Sequence, residues 1–358
     1  MPNIRYSFGN KEETTSCDVK SSNGIDNERN QECLRKVQKF LLEHESKTPK
    51  VIYITHGWQD DGAFMDEVSY NLFKKYGNDH LVVAKVYWKT GANASKKRTL
   101  SSYSHKNYPL CKTGSCRFAQ CCTNPTTYGE SSVNTWPVGN VIAYVHKEIT
   151  AKLKIKTYCM GFSLGAHVCG FFGKMTRSLN NDTPIHKIIG LDPAGPIFEA
   201  PGHDPELRLN RNDAETVEIL HTNTVLLGYE DAIGHIDLYI NGGSLQPNCP
   251  KWQKIIGITI KGLPDSCSHG FAVRVLNHVL NNDNKSCYSK WQCVQKEGAY
   301  YSIIYQERFM KDELQRVGCN KTSSEHYEVG KLDFTPHKHF GVFWIQIDDN
   351  SDTCRMII

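Results

Sequence analysis

The sequence predicts an α/β fold, a mainly parallel central sheet with helices on both faces. Three observations carry this. Short runs rich in β-branched residues alternate with stretches whose apolar residues recur at helical spacing. Two of the runs, Val51-Ile52-Tyr53-Ile54-Thr55 and Leu81-Val82-Val83-Ala84-Lys85-Val86-Tyr87, are apolar almost throughout, as strands covered on both faces are. And 358 residues, 39% of them hydrophobic, can bury ample core within a single α/β domain, so residues 1–358 are read as one domain.

Along the chain, a short strand is expected at Ile4 to Phe8, then a polar loop, then a helix around Cys33 to Glu43. The Val51 and Leu81 runs follow as central strands. Residues 97–133 are rich in Ser, Thr, Asn and Cys, with Cys111, Cys116, Cys121 and Cys122 close together, and are read as a stapled surface insertion. Val138, Val141, Ile142, Val145, Ile149 and Leu153 then form one helical stripe, which suits a crossover helix. A strand from Ile155 to Met160, the turn Gly161-Phe162-Ser163 and a helix from Leu164 to about Met175 come next. Two further strands end in Asp192-Pro193 and in His221-Thr222-Asn223.

Composition excludes several classes of function. No apolar run reaches the roughly 18 residues of a membrane span. A formal charge of +4 with no dense basic helix argues against nucleic acid as a partner. The fourteen cysteines lack the paired spacing of a zinc site and fit oxidised pairing in a secreted protein. Four sequons agree, at Asn93, Asn181, Asn284 and Asn320. No apolar leader precedes Ile4. Cys159 and Cys169 flank the Gly161-Phe162-Ser163 turn and are compatible with free thiols or with a pair.

The chemistry centres on Gly161-Phe162-Ser163-Leu164-Gly165. A serine hydroxyl attacks at neutral pH only when a base takes its proton, and the base needs a third group to orient it. A sharp strand-to-helix turn exposes the serine at the carboxyl edge of the sheet, and its crowded backbone demands small residues two before and two after, here Gly161 and Gly165. Asp192, 29 residues on at a strand's carboxyl end, can reach an imidazole.

His56-Gly57-Trp58 after a strand, Gly161-Phe162-Ser163-Leu164-Gly165-Ala166-His167, Gly190-Leu191-Asp192-Pro193-Ala194-Gly195-Pro196, His221-Thr222-Asn223 and Gly234-His235-Ile236-Asp237-Leu238-Tyr239-Ile240-Asn241-Gly242-Gly243 together resemble the animal lipase family of pancreatic lipase and the phospholipases A1. The resemblance covers most of the chain. It implies an α/β-hydrolase fold with a Ser163, Asp192 and His269 triad. His269 is chosen among fifteen histidines because it follows Cys267 by two residues, on the turn Ser268-His269-Gly270. The resemblance assigns oxyanion-hole donors to the backbone N–H groups of Trp58 and Leu164, and it leaves His221 and His235 structural. A histidine base titrating near roughly pH 6.5 predicts activity that rises through mildly acidic pH.

Two departures from the family pattern stand out. Phe162 replaces a more usual polar residue. The region that corresponds to the family's calcium site, Pro205 to Asp213, is one residue short and has Asn210 where a carboxylate would strengthen it, so neither calcium nor any other metal or cofactor is expected.

Substrate choice rests on loops. Cys249 and Cys267 enclose 17 residues with Trp252, Ile255, Ile256, Ile258 and Ile260 interleaved with lysines. Their pairing, implied by the resemblance, would make 249–267 a lid, worth about 3 kcal/mol in the chain-entropy account. A buried strand pair is the alternative reading. A Cys287 to Cys293 pair is also expected. The other groove loop, Asn223 to Ile233, is only 11 residues long. Short loops mark the family's phospholipases A1, and Gly341-Val342-Phe343-Trp344 resembles the catalytic domain's last strands. The expectation is a secreted, monomeric, single-domain phospholipase A1 like those of arthropod secretions, with no β-sandwich domain and no colipase, acting at phospholipid membrane or micelle surfaces. A triacylglycerol lipase is the runner-up. Catalytically silent yolk-protein relatives lack the nucleophile that this chain retains.

Overall fold

The computed structural model describes residues 1–9, 14–77, 79–92, 127–150, 153–199, 204–224, 226–244, 246, 249, 266–281, 291–293, 319–321, 332 and 341–345. Its strands are β1 (Asn3–Gly9), β2 (Thr14–Lys20), β3 (Lys50–Thr55), β4 (Leu81–Tyr87), β5 (Lys156–Phe162), β6 (Ile185–Leu191), β7 (Ala214–His221), β8 (Ile236–Ile240), β9 (Trp291–Cys293), β10 (Cys319–Lys321) and β11 (Gly341–Ile345). Its helices are α1 (Glu28–Glu43), α2 (Phe64–Tyr76), α3 (Lys89–Ala92), α4 (Thr127–Thr150), α5 (Leu164–Leu179) and α6 (Ser266–Asn281).

The strands form one sheet in the order β10-β9-β11-β8-β7-β6-β5-β3-β4-β1-β2. From β4 to β11 neighbours run parallel, and antiparallel strands extend both edges. The parallel strands are apolar because each face is covered. On one face α1, α4 and α5 pack Val37, Leu41, Ile142, Val168 and Phe172 against Val51, Tyr53 and Cys159. On the other, α2 and α6 pack Met65, Val68, Leu72, Leu276 and Leu280 against Ile52, Ile54, Met160 and Ile189. Alternate residues of β3 thus feed opposite cores, as the period of two requires.

Three expectations are corrected. The polar stretch after β1 is the edge strand β2, paired with β1 in the register Tyr6 opposite Cys17 and tied to α1 by a Cys17–Cys33 disulfide. An edge strand has one unpaired side, so polar residues there do not signal a loop. The crossover helix α4 begins at Thr127, not at Val138, so the last seven residues of the 97–133 insertion are helical. Hydroxyls that suggested a loop bond instead to carbonyls, Ser132 Oγ donating to Tyr128 O at 2.9 Å, Thr135 Oγ1 to Ser132 O at 2.6 Å and Ser131 Oγ to Ala92 O at 3.0 Å. Finally, His269 lies in the first turn of α6 rather than on a turn between elements.

The rest of the insertion, residues 250–265 of the proposed lid, and Cys287 lie outside the described residues. The Cys249–Cys267 disulfide expected there is present, with Cα atoms 5.6 Å apart. Cys159 and Cys169, left open above, are bonded to each other, joining β5 to α5 in the core. No helix among the described residues is long and apolar enough to cross a membrane.

Candidate active site

β5 ends in Phe162 and α5 starts at Leu164, so one residue makes the whole turn. That residue, Ser163, has φ 56° and ψ −121°, a conformation non-glycine residues rarely hold. The turn closes only because its neighbours lack side chains. A Cβ on Gly161 would collide with the carbonyl of Gly165, and one on Gly165 would lie 2.5 Å from Thr55 O. The Ser163 backbone is held on both sides, its N–H donating to Leu191 O at 3.0 Å and its carbonyl accepting from Ala194 N at 3.3 Å.

Asp192 follows β6 directly. It is fully buried, with φ 46°. Its Oδ1 accepts the N–H groups of Thr222 at 2.7 Å and Asn223 at 3.1 Å, and its own N–H donates to Leu220 O at 2.8 Å. Its Oδ2 lies 2.6 Å from Nδ1 of His269, so the carboxylate orients the ring and leaves Nε2 for other partners. The His269 ring packs on Phe162, the residue before Ser163, with centroids 4.7 Å apart. Phe162, the departure from the family pattern, therefore serves as a platform for the imidazole.

Gly57, in the turn after β3, comes so close to the serine that an added Cβ would lie 2.8 Å from Ser163 Cβ. The N–H groups of Trp58 and Leu164 have no protein acceptor among the described residues. Leu164 directly follows Ser163, and Trp58 directly follows the Gly57 that approaches it. The Trp58 ring is half-buried and meets Tyr128 edge-on at 5.2 Å.

His221 and His235 are taken up elsewhere. His221 bonds Tyr229 O at 2.9 Å through Nδ1 and Asp237 Oδ1 at 2.9 Å through Nε2. His235 accepts the Val217 N–H at 3.0 Å. Both are structural, as expected. In the region compared with a calcium site, Asp213 is buried against Lys174 Nζ at 2.5 Å and accepts the Asn210 N–H at 2.9 Å. Burial pushes its carboxyl up to about 6, against the pull of the lysine. No group of three or more metal-ligating side chains occurs among the described residues.

Sequence reasoning did not assign roles to the backbone donors of Thr222 and Asn223, to Gly228, or to the His56 side chain. All four stand in or near stretches singled out in the sequence, but each makes a contact far along the chain, with Asp192 for the first three and with Trp88 for His56.

A parallel sheet with helices on both faces and a serine turn at its carboxyl edge defines an α/β-hydrolase. The Lipase family profile matches residues 20–302, and the chain belongs to that family. It is 31% identical to lipase member H of Rattus norvegicus over 233 residues, covering 63% of this chain and 42% of the relative. It is 52% identical to lipase member H-B of Xenopus laevis over 94 residues, 26% of this chain and 19% of the relative. With human lipoprotein lipase it shares 29% over 303 residues, 81% of this chain and 53% of the relative. The matched regions span about half or less of these relatives.

Proposed function

We propose that this protein is a secreted serine esterase acting on lipid esters, with Ser163 as nucleophile, His269 as general base and Asp192 as the orienting acid. The observation that carries it is the 2.6 Å Asp192–His269 contact, with the imidazole seated on the residue before a serine held in a strained turn. In this mechanism His269 takes the Ser163 proton as Oγ attacks the ester carbonyl. The N–H groups of Trp58 and Leu164 receive the oxyanion. The protonated His269 then gives its proton to the leaving alcohol, and water repeats the sequence on the acyl-enzyme.

Within that class the reading favours phospholipase A1, cleavage at sn-1 of phospholipids. The 11-residue loop from Asn223 to Ile233 supports it, since a short loop leaves room for a polar headgroup. Described disulfides and a family of proteins named lipases support an oxidising, extracellular setting and a peripheral lipid surface as partner. Action as a monomer without colipase, and a lid across 249–267, belong to the same proposal.

The test offers phosphatidylcholine labelled at sn-1 or at sn-2, and a triacylglycerol emulsion, to the wild type and to Ser163→Ala. Release of sn-1 fatty acid that vanishes in the variant is expected. No Ser163-dependent release from any substrate overturns the esterase reading, and release from triacylglycerol alone overturns the phospholipase reading.

A further inference from the structure

The peptide group between Gly57 and Trp58 carries both the Gly57 carbonyl and the Trp58 N–H proposed above as an oxyanion donor. In a trans peptide these two point in opposite directions, so whatever holds the carbonyl aims the N–H. No cis peptide occurs in the chain's described residues. His56 Nδ1 lies 3.0 Å from Gly57 O. The other nitrogen, Nε2, faces the backbone N–H of Trp88 at 3.1 Å, which can only donate. Nε2 is therefore the bare nitrogen, and the ring proton resides on Nδ1 and is donated to Gly57 O.

The ring is itself immobilised. His56 is fully buried, stacks on the Trp88 indole with centroids 5.6 Å apart, and its own carbonyl accepts the Trp88 Nε1–H at 2.8 Å. Burial lowers its pKa below the ordinary histidine value, so it keeps this neutral form. Trp88 follows β4, and His56 follows β3, its parallel neighbour. The sheet thus fixes Trp88, Trp88 fixes the tautomer and plane of His56, and His56 fixes the peptide next to Ser163.

We propose that His56 is a positioning residue of the oxyanion hole, orienting the Trp58 N–H by donating from Nδ1 to the Gly57 carbonyl. This rests on the esterase reading above. A hydrogen bond to the carbonyl also polarises the peptide and strengthens its N–H as a donor.

Two substitutions separate this role from packing. In His56→Asn the Nδ2 group occupies the place of Nδ1 and can still donate to Gly57 O, while the acceptor for Trp88 is lost. In His56→Gln the Oε1 atom can still accept from Trp88, while the donor to Gly57 is lost. With p-nitrophenyl butyrate as substrate, His56→Gln is expected to lose at least about 10-fold in kcat with KM unchanged. His56→Asn should stay within about 3-fold of wild type on the same grounds. Binding of butylboronic acid, which forms a tetrahedral adduct on the serine, should weaken in parallel with kcat. Equal losses in both variants, or a loss confined to KM, overturn the proposal.

The wild-type protein gives a reading that needs no variant. Histidine-selective ¹⁵N NMR should show His56 protonated on Nδ1 and bare on Nε2, and the opposite tautomer overturns the proposal even if the variants do not fold. A wild type without Ser163-dependent hydrolysis removes the esterase reading and this role together. An active wild type with equal losses in the two variants removes this role alone.

Discussion

His269 and Asp192 stand 77 positions apart in sequence and 2.6 Å apart in space, the carboxylate Oδ2 against the imidazole Nδ1. Asp192 reaches this position already held, because two backbone N–H groups from the turn after β7 grip its other oxygen. An amide in its place could accept from those donors or from the ring only by turning one N–H toward a group that also donates. Asp192→Asn should therefore fold yet lose roughly 10³–10⁴ in kcat through the wrong histidine tautomer. Ester-hydrolysis kinetics on the purified variant check this, and a loss under tenfold would remove Asp192 from the triad.

Gly228 packs directly on the same carboxylate. A Cβ there would lie 2.5 Å from Asp192 Oδ1, whereas a Cβ on Gly270, beside His269, would meet nothing within 4 Å. Gly228→Ala should lower activity by about tenfold or more, because about 1 Å of misplacement is enough to disrupt catalysis. Gly270→Ala should be near neutral. Similar activities for the two variants would contradict the geometry.

His146 is buried between Tyr53 Oη at 3.1 Å and Thr157 Oγ1 at 3.1 Å, and burial lowers its pKa to about 3. The folded state keeps it neutral, while the unfolded chain takes up a proton near roughly pH 6.5. The unfolded state thus binds more protons between those values, and stability falls as pH drops from about 6.5 towards about 3. The slope from this one group approaches about 1.4 kcal/mol per pH unit. Urea unfolding at pH 7, 6, 5 and 4 should show it, and His146→Phe should flatten it.

The Cys159–Cys169 disulfide closes a short loop across the serine turn, and both sulfurs are buried. Replacing both residues with alanine should cost about 2–3 kcal/mol of unfolding free energy in the chain-entropy account. The wild-type bond should resist dithiothreitol until the protein unfolds, which thiol labelling followed by mass spectrometry would reveal. Rapid labelling of Cys159 under native conditions would contradict its burial.

The serine turn was legible because its requirements are local: a strand, two glycines and a helix lie within a few residues of Ser163. Asp192 was legible for the same reason, at the end of a strand. His269 was chosen through its place after Cys267, since nothing near it distinguishes it from fourteen other histidines. What escaped was non-local. The His56 role needs Trp88 just after a neighbouring strand, the Asp192 clamp needs the turn after β7, and the early start of α4 depends on hydroxyls finding carbonyls that composition cannot locate. The Cys249–Cys267 pairing that the resemblance implied is present.

The bonds that join the strand ends form a continuous line. Ser163 N bonds Leu191 O, Asp192 N bonds Leu220 O, and the turn after Leu220 returns two N–H groups to Asp192. The proposed nucleophile and acid are therefore indexed to one another by the ladder of β5, β6 and β7. A slip of β6 by one residue would turn Asp192 to the other side of the sheet and unseat Ser163 in the same step. On the proposed esterase reading, hydrolysis should accordingly behave as an all-or-none signal of correct strand registry, so that a refolded sample's specific activity counts the molecules that have reached the native pairing.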